Sequence, residues 1–184
     1  PVMPVAGLPR RLPHDLANAL AVLACADAME VSSAAAISVL SDFEGLPHRV
    51  TLVGEDDGVR WFDDSKATTP HATVAALDGF DSVVLIAGGR NKGVDLSPLR
   101  HRSVRAVIAI GDAAGEIEAV FAGSVDTTVA TSMHDAVLAA AEQARPGDVV
   151  LLSPACASFD WYGSYGERGD DFTREVHQLI GVGS

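Results

Sequence analysis

Short polar segments carry most of the residues in this sequence that could do chemistry. The first, D-D-S-K-A-T at 63–68, combines two carboxylates, an amine and two hydroxyls just before a proline. Lysine and hydroxyls near a helix N-terminus can bind an anion, and an acid at a strand end can bind ribose hydroxyls. The structural alternative is that Thr68 or Thr69 caps a helix while Lys66 and Asp64 form a surface ion pair.

The second segment, G-G-R-N-K-G at 88–93, is rich in glycine and carries a cation. Its glycines allow the backbone to turn tightly and to approach a ligand closely, and Lys92 can offer a point charge to a carboxylate or a phosphate. The GxxxxGK[ST] spacing of a phosphate-binding P-loop is absent here and elsewhere in the sequence. A glycine-rich turn with a solvated lysine is the structural alternative.

A run of small residues, S-P-A-C-A-S at 153–158, forms the third segment. Ser153 and Ser158 can act as donors in a pocket formed by the backbone. Cys156 is interpreted as a small apolar filler rather than a nucleophile, because no paired histidine is evident. Arg168, in the glycine-rich stretch that follows, is interpreted as a structural ion-pair partner.

Two weaker patterns predict no cofactor site of their own. The segment G-D-A-A-G at 111–115 resembles half of a dinucleotide fingerprint, and such a half-motif indicates close packing of a strand against a helix. The histidines have neither HExxH nor H-x-H spacing, so they predict no metal centre. They stand at positions 14, 48, 71, 101, 134 and 177.

Composition narrows the possible partners. The 184 residues, 48% of them hydrophobic, suffice for one well-buried domain and a modest appendage. The net charge of −12 argues against nucleic acid or an anionic membrane as a partner. No apolar run approaches the roughly 18 residues that span a bilayer. Cys25 and Cys156 lack CxxC spacing, so a reducing cytoplasm is the expected location.

The elements that must position these segments follow an α/β pattern. Helices are predicted near 14–30 and 33–40, followed by a domain boundary at Gly45-Leu46-Pro47. A hairpin and four apolar strands follow, with helices between them. The strands are predicted at 50–53, 59–62, 83–87, 106–110, 125–130 and 149–152, and the helices near 70–78, 113–122, 132–144 and 167–180. This alternation predicts a doubly wound, mostly parallel sheet with a short hairpin at its start, whose ligands bind at the carboxyl ends of the strands.

Six segments of the sequence resemble the Mur ligases of peptidoglycan synthesis in their order and spacing. They are H-D-L-A-N-A-L-A, G-L-P-H-R, D-D-S-K-A-T, G-G-R-N-K-G, L-L-S-P-A-C-A-S and E-R-G-D-D-F. Within this family, D-S-K-A-T and S-P-A-C-A-S are most similar to the member that adds D-glutamate. Three positions depart from the family pattern. Asp15 stands where asparagine is common, Arg90-Asn91 where Asp-Gly is usual, and Tyr165 where phenylalanine is common.

The resemblance implies the domain organisation and the reaction. Residues 1–47 would be the helical tail of a central ATP-binding domain, and residues 48–184 a Rossmann-like C-terminal domain. The ligase would be a cytoplasmic monomer that uses ATP and Mg²⁺, held mainly by upstream regions, to join D-glutamate to UDP-N-acetylmuramoyl-L-alanine through an acyl phosphate. The start of the sequence, which has no initiating methionine, suggests a fragment. The fragment by itself is expected to be inactive.

The resemblance also implies roles for individual residues. No residue of this segment is implied to be catalytic or to bind metal. Two alternatives remain open: a sister ligase for another amino acid, and a stand-alone Rossmann-like binding module. D-glutamate would be bound by Lys66, Thr68, Lys92, Ser158, Phe159 and Tyr165, and the nucleotide by Asp15, Asn18, Arg49 and Asp64.

Overall fold

A computed structural model describes residues 2–182, which form two compact units with a boundary in the chain between Leu46 and Pro47. The first unit contains a 3₁₀ turn at Val5–Gly7 and the helices α1 (Pro13–Ala28) and α2 (Ser33–Asp42). Proline at the first helical position and a first-turn aspartate favour the start of α1. The Ser32 hydroxyl accepts the Ala35 N–H and caps α2. Both predicted helices are therefore present.

The second unit is an α/β domain. Its described residues form one six-stranded sheet in the order β1-β2-β6-β3-β4-β5, in which β1 is antiparallel to β2 and the other pairs are parallel. The predicted fold class is confirmed. The strands are β1 (Thr51–Asp56), β2 (Val59–Asp63), β3 (Val83–Gly88), β4 (Val104–Ile110), β5 (Asp126–Val129) and β6 (Val149–Ala155), and the helices are α3 (Pro70–Leu77), α4 (Ala114–Phe121), α5 (Met133–Gln143) and α6 (Tyr165–Ile180).

Helices cover both faces of this sheet. Side chains of α5 and α6, among them Met133, Val137 and Phe172, form one core cluster with alternate residues of β3, β4 and β6. The helices α3 and α4 contact the same central strands, and their buried side chains lie outside that cluster. Every residue of β3 and β6 is buried. Burial on both faces explains why β3 and the run Val149–Leu152 of β6 are apolar rather than alternating.

The strand order brings the polar segments to one edge of the sheet. The strand β6, last in the sequence, lies between β2 and β3, so the loops after β2, β6, β3 and β4 stand side by side. The carboxyl ends of parallel strands point to the same edge. Segments that are far apart in sequence are therefore neighbours, as the doubly wound pattern predicted.

The start of α6 differs from the prediction. The helix begins at Tyr165 rather than near residue 167, because the Ser164 hydroxyl accepts the Glu167 N–H and the Glu167 carboxylate accepts the Gly163 N–H. This S-x-x-E pattern is a capping signal, which outweighs the poor helix propensity of the glycines. Tyr165 is thus the first residue of a helix and not part of a loop.

None of the helices described is long and apolar enough to cross a bilayer.

Candidate functional site

A buried carboxylate at the end of β2 holds the loop that follows this strand. Asp63 accepts the Ser65 N–H at 2.8 Å through Oδ1, and its Oδ2 lies 2.6 Å from Nδ1 of His48. The Lys66 N–H donates to the carbonyl of His48 at 3.1 Å. The backbone that carries Lys66 is therefore fixed from two sides, by Asp63 and by His48.

Lys66 and Tyr165 lie together at this edge. The Lys66 ammonium donates to the Tyr165 hydroxyl at 2.9 Å and stands 4.7 Å from the centre of its ring. The Ser65 hydroxyl donates to the Tyr165 carbonyl at 2.7 Å. These contacts bring two of the predicted D-glutamate residues together. They also replace the surface pair between Lys66 and Asp64 that was the structural alternative.

Asp64 turns inward and away from Lys66. Its Oδ2 accepts the hydroxyl of buried Ser153 at 2.7 Å, and the Val50 N–H also donates to its carboxyl group. Burial raises the pKa of Asp64 to about 7, although these hydrogen bonds and nearby Arg49 act in the opposite direction. Val50 has a φ of 48°, which is rare for a β-branched residue. The Asp64 carboxyl therefore helps to hold a strained backbone next to Arg49.

We expect Asp64 to make the second unit less stable as the pH rises. Its carboxyl has an ordinary pKa of 3.8 and a folded pKa of about 7. Between these values the folded state holds a proton that the unfolded state has released, so the free energy of unfolding falls with increasing pH. The expected loss from about pH 5 to about pH 8 is about 2–4 kcal/mol.

Urea unfolding followed by tryptophan fluorescence would measure this loss, because Trp61 and Trp161, the only tryptophans, both lie in the second unit. The matched control is Asp64→Asn, which cannot ionise and should flatten the pH profile. Parallel profiles for the wild type and Asp64→Asn would contradict the prediction.

The glycine-rich loop after β3 needs its glycines. Gly88 and Gly89 have φ values of 127° and 121°, and a Cβ at Gly88 would stand 2.0 Å from the Ile110 carbonyl oxygen. Arg90 exchanges backbone hydrogen bonds with Ala157, at 2.8 and 3.1 Å. The loop that carries exposed Lys92 is thereby joined to the S-P-A-C-A-S segment.

Asn91 shapes the turn that follows in the same loop. Its side-chain oxygen accepts the Val94 N–H, and its amide donates to the Val94 carbonyl and to the Glu116 carboxylate. Arg90 lies 3.6 Å from the Asp112 carboxylate. Both residues at the departure from the family pattern thus have structural partners, and Lys92 is presented between Asn91 and Gly93.

The segment after β6 is buried as far as Ser158. Ala155 has a φ of 60° and donates its N–H to the Ala67 carbonyl at 2.9 Å, which links this segment to the loop after β2. Burial raises the pKa of the Cys156 thiol to about 11, so the thiol stays protonated at neutral pH, consistent with a filler. Phe159, the next predicted site residue, is 59% exposed, and Thr68 is half-buried.

The half-fingerprint after β4 is also tightly packed, but against loops rather than between a strand and a helix. A Cβ at Gly111 would stand 2.0 Å from an Asp160 carboxylate oxygen and 2.8 Å from the Gly89 Cα atom. The Asp112 N–H donates to that Asp160 oxygen at 3.0 Å. The segment therefore supports its neighbouring loops.

Arg168 differs from the prediction of an ion pair. Its guanidinium donates to the hydroxyl and carbonyl of Ser65 and to the carbonyl of Cys156, all neutral acceptors. Burial lowers the pKa of Arg168 to about 10, and nearby Asp160 raises it, so the group is charged at neutral pH. Positions 168, 172 and 176 lie on one face of a helix, and Phe172 and Val176 are apolar. This spacing was the signal in the sequence that could have predicted an inward position for Arg168.

The predicted nucleotide residues lie in both units. In the first unit, Asp15 accepts hydrogen bonds from the Leu12 N–H and from Arg10, each at 3.2 Å. Asp15 and Asn18 line one pocket together with Phe43. In the second unit, Arg49 is exposed and Asp64 is buried.

The two lysines of the sequence both belong to the site. Lys66 and Lys92 are the only lysines among the 13 Lys and Arg residues of the sequence, and both lie in loops at the carboxyl edge of the sheet. Two small hydroxyl side chains accompany them: Thr68 in the loop of Lys66, and Ser158 in the loop after β6. An edge with ammonium groups, hydroxyls and tightly turned backbone is suited to a small anionic ligand.

A family model described as "Mur ligase, glutamate ligase domain" matches residues 48–156, more than half of the 184 residues. The chain belongs to the Mur ligase family. The matched part contains all six strands described above and the loops that carry Lys66 and Lys92. The resemblance drawn from the sequence segments is confirmed.

Relatives within the Mur ligase family extend the match across both units. The UDP-N-acetylmuramoylalanine–D-glutamate ligase of Nitrosococcus oceani is 46% identical over 181 residues, which cover 93% of this chain and 40% of that protein. The ligase of the same name from Aromatoleum aromaticum is 48% identical over 185 residues, covering 97% and 40%. The chain thus spans about 40% of the length of these curated relatives.

Solved structures of two ligases share the fold. The UDP-N-acetylmuramate-alanine ligase of Thermotoga maritima matches with a TM-score of 0.68 and 18% identity, over 94% of this chain and 40% of that one. A murein peptide ligase from Psychrobacter arcticus matches with a TM-score of 0.57 and 21% identity, over 95% and 38%. At such identities the likeness concerns the fold alone.

Proposed function

We propose that this chain is the C-terminal part of a cytoplasmic, monomeric ATP-dependent ligase that joins D-glutamate to UDP-N-acetylmuramoyl-L-alanine. The observation that carries the proposal is the 46–48% identity, over nearly the whole chain, to ligases named for these substrates. The whole enzyme would use ATP and Mg²⁺. Among residues 2–182 no group of three or more His, Cys, Asp or Glu side chains is placed to hold a metal ion. The Mg²⁺ and the ATP phosphates would be held mainly by upstream regions of the enzyme.

The second unit would bind D-glutamate at the carboxyl edge of its sheet. D-glutamate carries two carboxylates, which two ammonium groups can compensate. The hydroxyl groups and backbone of the neighbouring loops would fix its orientation. The residues assigned to this role are Lys66, Thr68, Lys92, Ser158, Phe159 and Tyr165.

Four polar residues are assigned to the nucleotide. Asn18 and Asp15 would contact the adenine, while Arg49 and Asp64 would approach the ribose or the phosphates. In support, Asp15 and Asn18 line one pocket, and the Asp64 carboxyl receives the N–H of Val50, next to Arg49. Each of these roles is part of the proposal.

The reaction has a clear physical logic. A carboxylate is a poor electrophile, and transfer of the terminal phosphate of ATP converts it to an acyl phosphate. The D-glutamate amine then attacks the carbonyl carbon, and the tetrahedral intermediate collapses with release of phosphate. The contribution of this chain would be to hold the amine at the carbonyl carbon and to compensate the D-glutamate carboxylates, which are positioning and electrostatic effects.

Phosphate release by the full-length enzyme tests the proposal. With ATP, Mg²⁺ and UDP-N-acetylmuramoyl-L-alanine present, release is expected only when D-glutamate is the acceptor. L-glutamate, L-alanine, L-lysine and diaminopimelate are the comparison acceptors, and residues 1–184 alone, which lack a P-loop motif, should release none. Release with another acceptor would favour a sister ligase, and no release with any of them would favour a stand-alone binding module.

A further inference from the structure

Arg168 is a charged side chain in the interior of the second unit. It is 1% exposed and is the largest of the fully buried side chains. It lies in the first turn of α6, four residues before Phe172 and eight before Val176, both fully buried. An apolar residue would fill this position without the cost of removing a charge from water. The useful property of an arginine here is its fork of hydrogen-bond donors.

Those donors join α6 to two of the loops at the sheet edge. Nε and Nη2 of Arg168 donate to the hydroxyl and the carbonyl of Ser65, at 2.9 and 2.8 Å, and Nη1 donates to the carbonyl of Cys156 at 3.2 Å. The Ser65 hydroxyl in turn donates a hydrogen bond to the Tyr165 carbonyl at 2.7 Å. Ser65 is fully buried, so water cannot replace these bonds.

The glycine-rich loop lies against the same guanidinium. A Cβ placed on Gly89 would stand 3.2 Å from Nη1 of Arg168 and 3.3 Å from the Cβ of Cys156. The absence of a side chain at position 89 therefore allows this third loop to approach Arg168. One buried guanidinium thus donates to the loops after β2 and β6 and lies beside the loop after β3.

We propose that Arg168 is a positioning residue for the D-glutamate site, because each loop it touches carries a binding group within three residues of the contact. Lys66 follows Ser65, Ser158 lies two residues after Cys156, and Lys92 lies three after Gly89. Arg168 itself does not contact the ligand. The inference rests on the proposed function, since it takes D-glutamate as the ligand of these loops.

The test uses the full-length enzyme with Arg168→Met and Arg168→Lys. Arg168→Met keeps an unbranched, largely apolar stem and removes the guanidinium with its donors, and Arg168→Lys keeps a charge that can reach only part of the acceptor set. In Arg168→Met, kcat/KM for D-glutamate should fall by about 10- to 100-fold, as expected when binding groups shift by about 1 Å. The KM for ATP should stay within about twofold of the wild type. Arg168→Lys should recover part of the loss.

The matched control is Arg174→Met on the same helix. The Arg174 side chain is 55% exposed and pairs with Asp171 and Glu175, away from the three loops. Its kinetic constants should stay within about twofold of the wild type. If Arg168→Met fails to fold, Ser65→Ala replaces it, since that change removes one acceptor of the Arg168 fork and should raise the KM for D-glutamate by about 3- to 10-fold.

An unchanged KM and kcat/KM for D-glutamate in folded Arg168→Met or Ser65→Ala, with an active wild type, would overturn the positioning role alone. An equal rise in the KM values for D-glutamate and ATP would also overturn it, because it would indicate a general loss of structure. A wild-type enzyme that uses a different acceptor would overturn the proposed function and, with it, D-glutamate as the ligand in this inference.

Discussion

Replacing Lys66 with alanine should lower kcat/KM for D-glutamate by about 100-fold, through the loss of a charge-assisted hydrogen bond to a carboxylate. The Lys66 ammonium already has a defined position, 2.9 Å from the Tyr165 hydroxyl, on a backbone fixed by Asp63 and His48. A ligand carboxylate would therefore meet a charge whose freedom is already restricted. Steady-state phosphate release with varied D-glutamate measures the effect.

Arg102→Ala is the matched control for Lys66→Ala. It also removes one cation from the second unit, but Arg102 is exposed and lies just before β4, at the amino end of the strand and hence at the opposite edge of the sheet. It should change kcat/KM for D-glutamate by less than about twofold, because exposed charges at such distances are screened. Equal losses in the two variants would mean that net charge, and not the position of Lys66, governs the reaction.

Replacing Gly88 with alanine should destabilise the second unit by about 3–5 kcal/mol, a large value for a single methyl group. The added Cβ would stand 2.0 Å from the carbonyl oxygen of Ile110, and that oxygen accepts the Gly89 N–H at 2.9 Å. Backbone atoms cannot turn aside as a flexible side chain can. The end of β3 would have to separate from β4, and the loop that carries Lys92 would move with it.

Gly93→Ala separates the steric clash from the cost of an unusual backbone angle. Gly93 also has a positive φ, 77°, but no atom lies within 4 Å of its added Cβ, so only about 1 kcal/mol should be lost. Urea unfolding followed by the fluorescence of Trp61 and Trp161 compares the two variants. Similar losses at both positions would show that the contact with Ile110 is not the cause.

The central sheet could be predicted from the sequence because its signal is local. The apolar runs of β3 and β6 have no polar residue that would tolerate exposure, and glycine-rich or small residues end them. The edge strand β5 was predicted at 125–130 and is shorter, Asp126–Val129. The other edge strand, β1, was predicted at 50–53 and is longer, Thr51–Asp56, because it stays paired with β2 up to the tight turn that joins them.

The site segments were identified from their residue types, whereas the bonds among them were not. Val50 and Ala155 adopt positive φ values that nothing in their own sequence favours. The Val50 N–H is held by the Asp64 carboxyl and the Ala155 N–H by the Ala67 carbonyl. Such tertiary contacts override local preference and cannot be read from sequence spacing. The contacts of the site residues with D-glutamate and the nucleotide remain predictions.

Because this chain has lysine at only two positions, chemical labelling of lysine can report on the proposed site. An amine-selective reagent can modify the side chains of Lys66 and Lys92 and no others. Lys66 is half-buried as a residue and its amine donates to Tyr165, whereas Lys92 is exposed, so Lys92 should be labelled first. A small dianion that occupies the edge of the sheet would slow the labelling of both lysines, and mass spectrometry of the peptides would report that protection residue by residue.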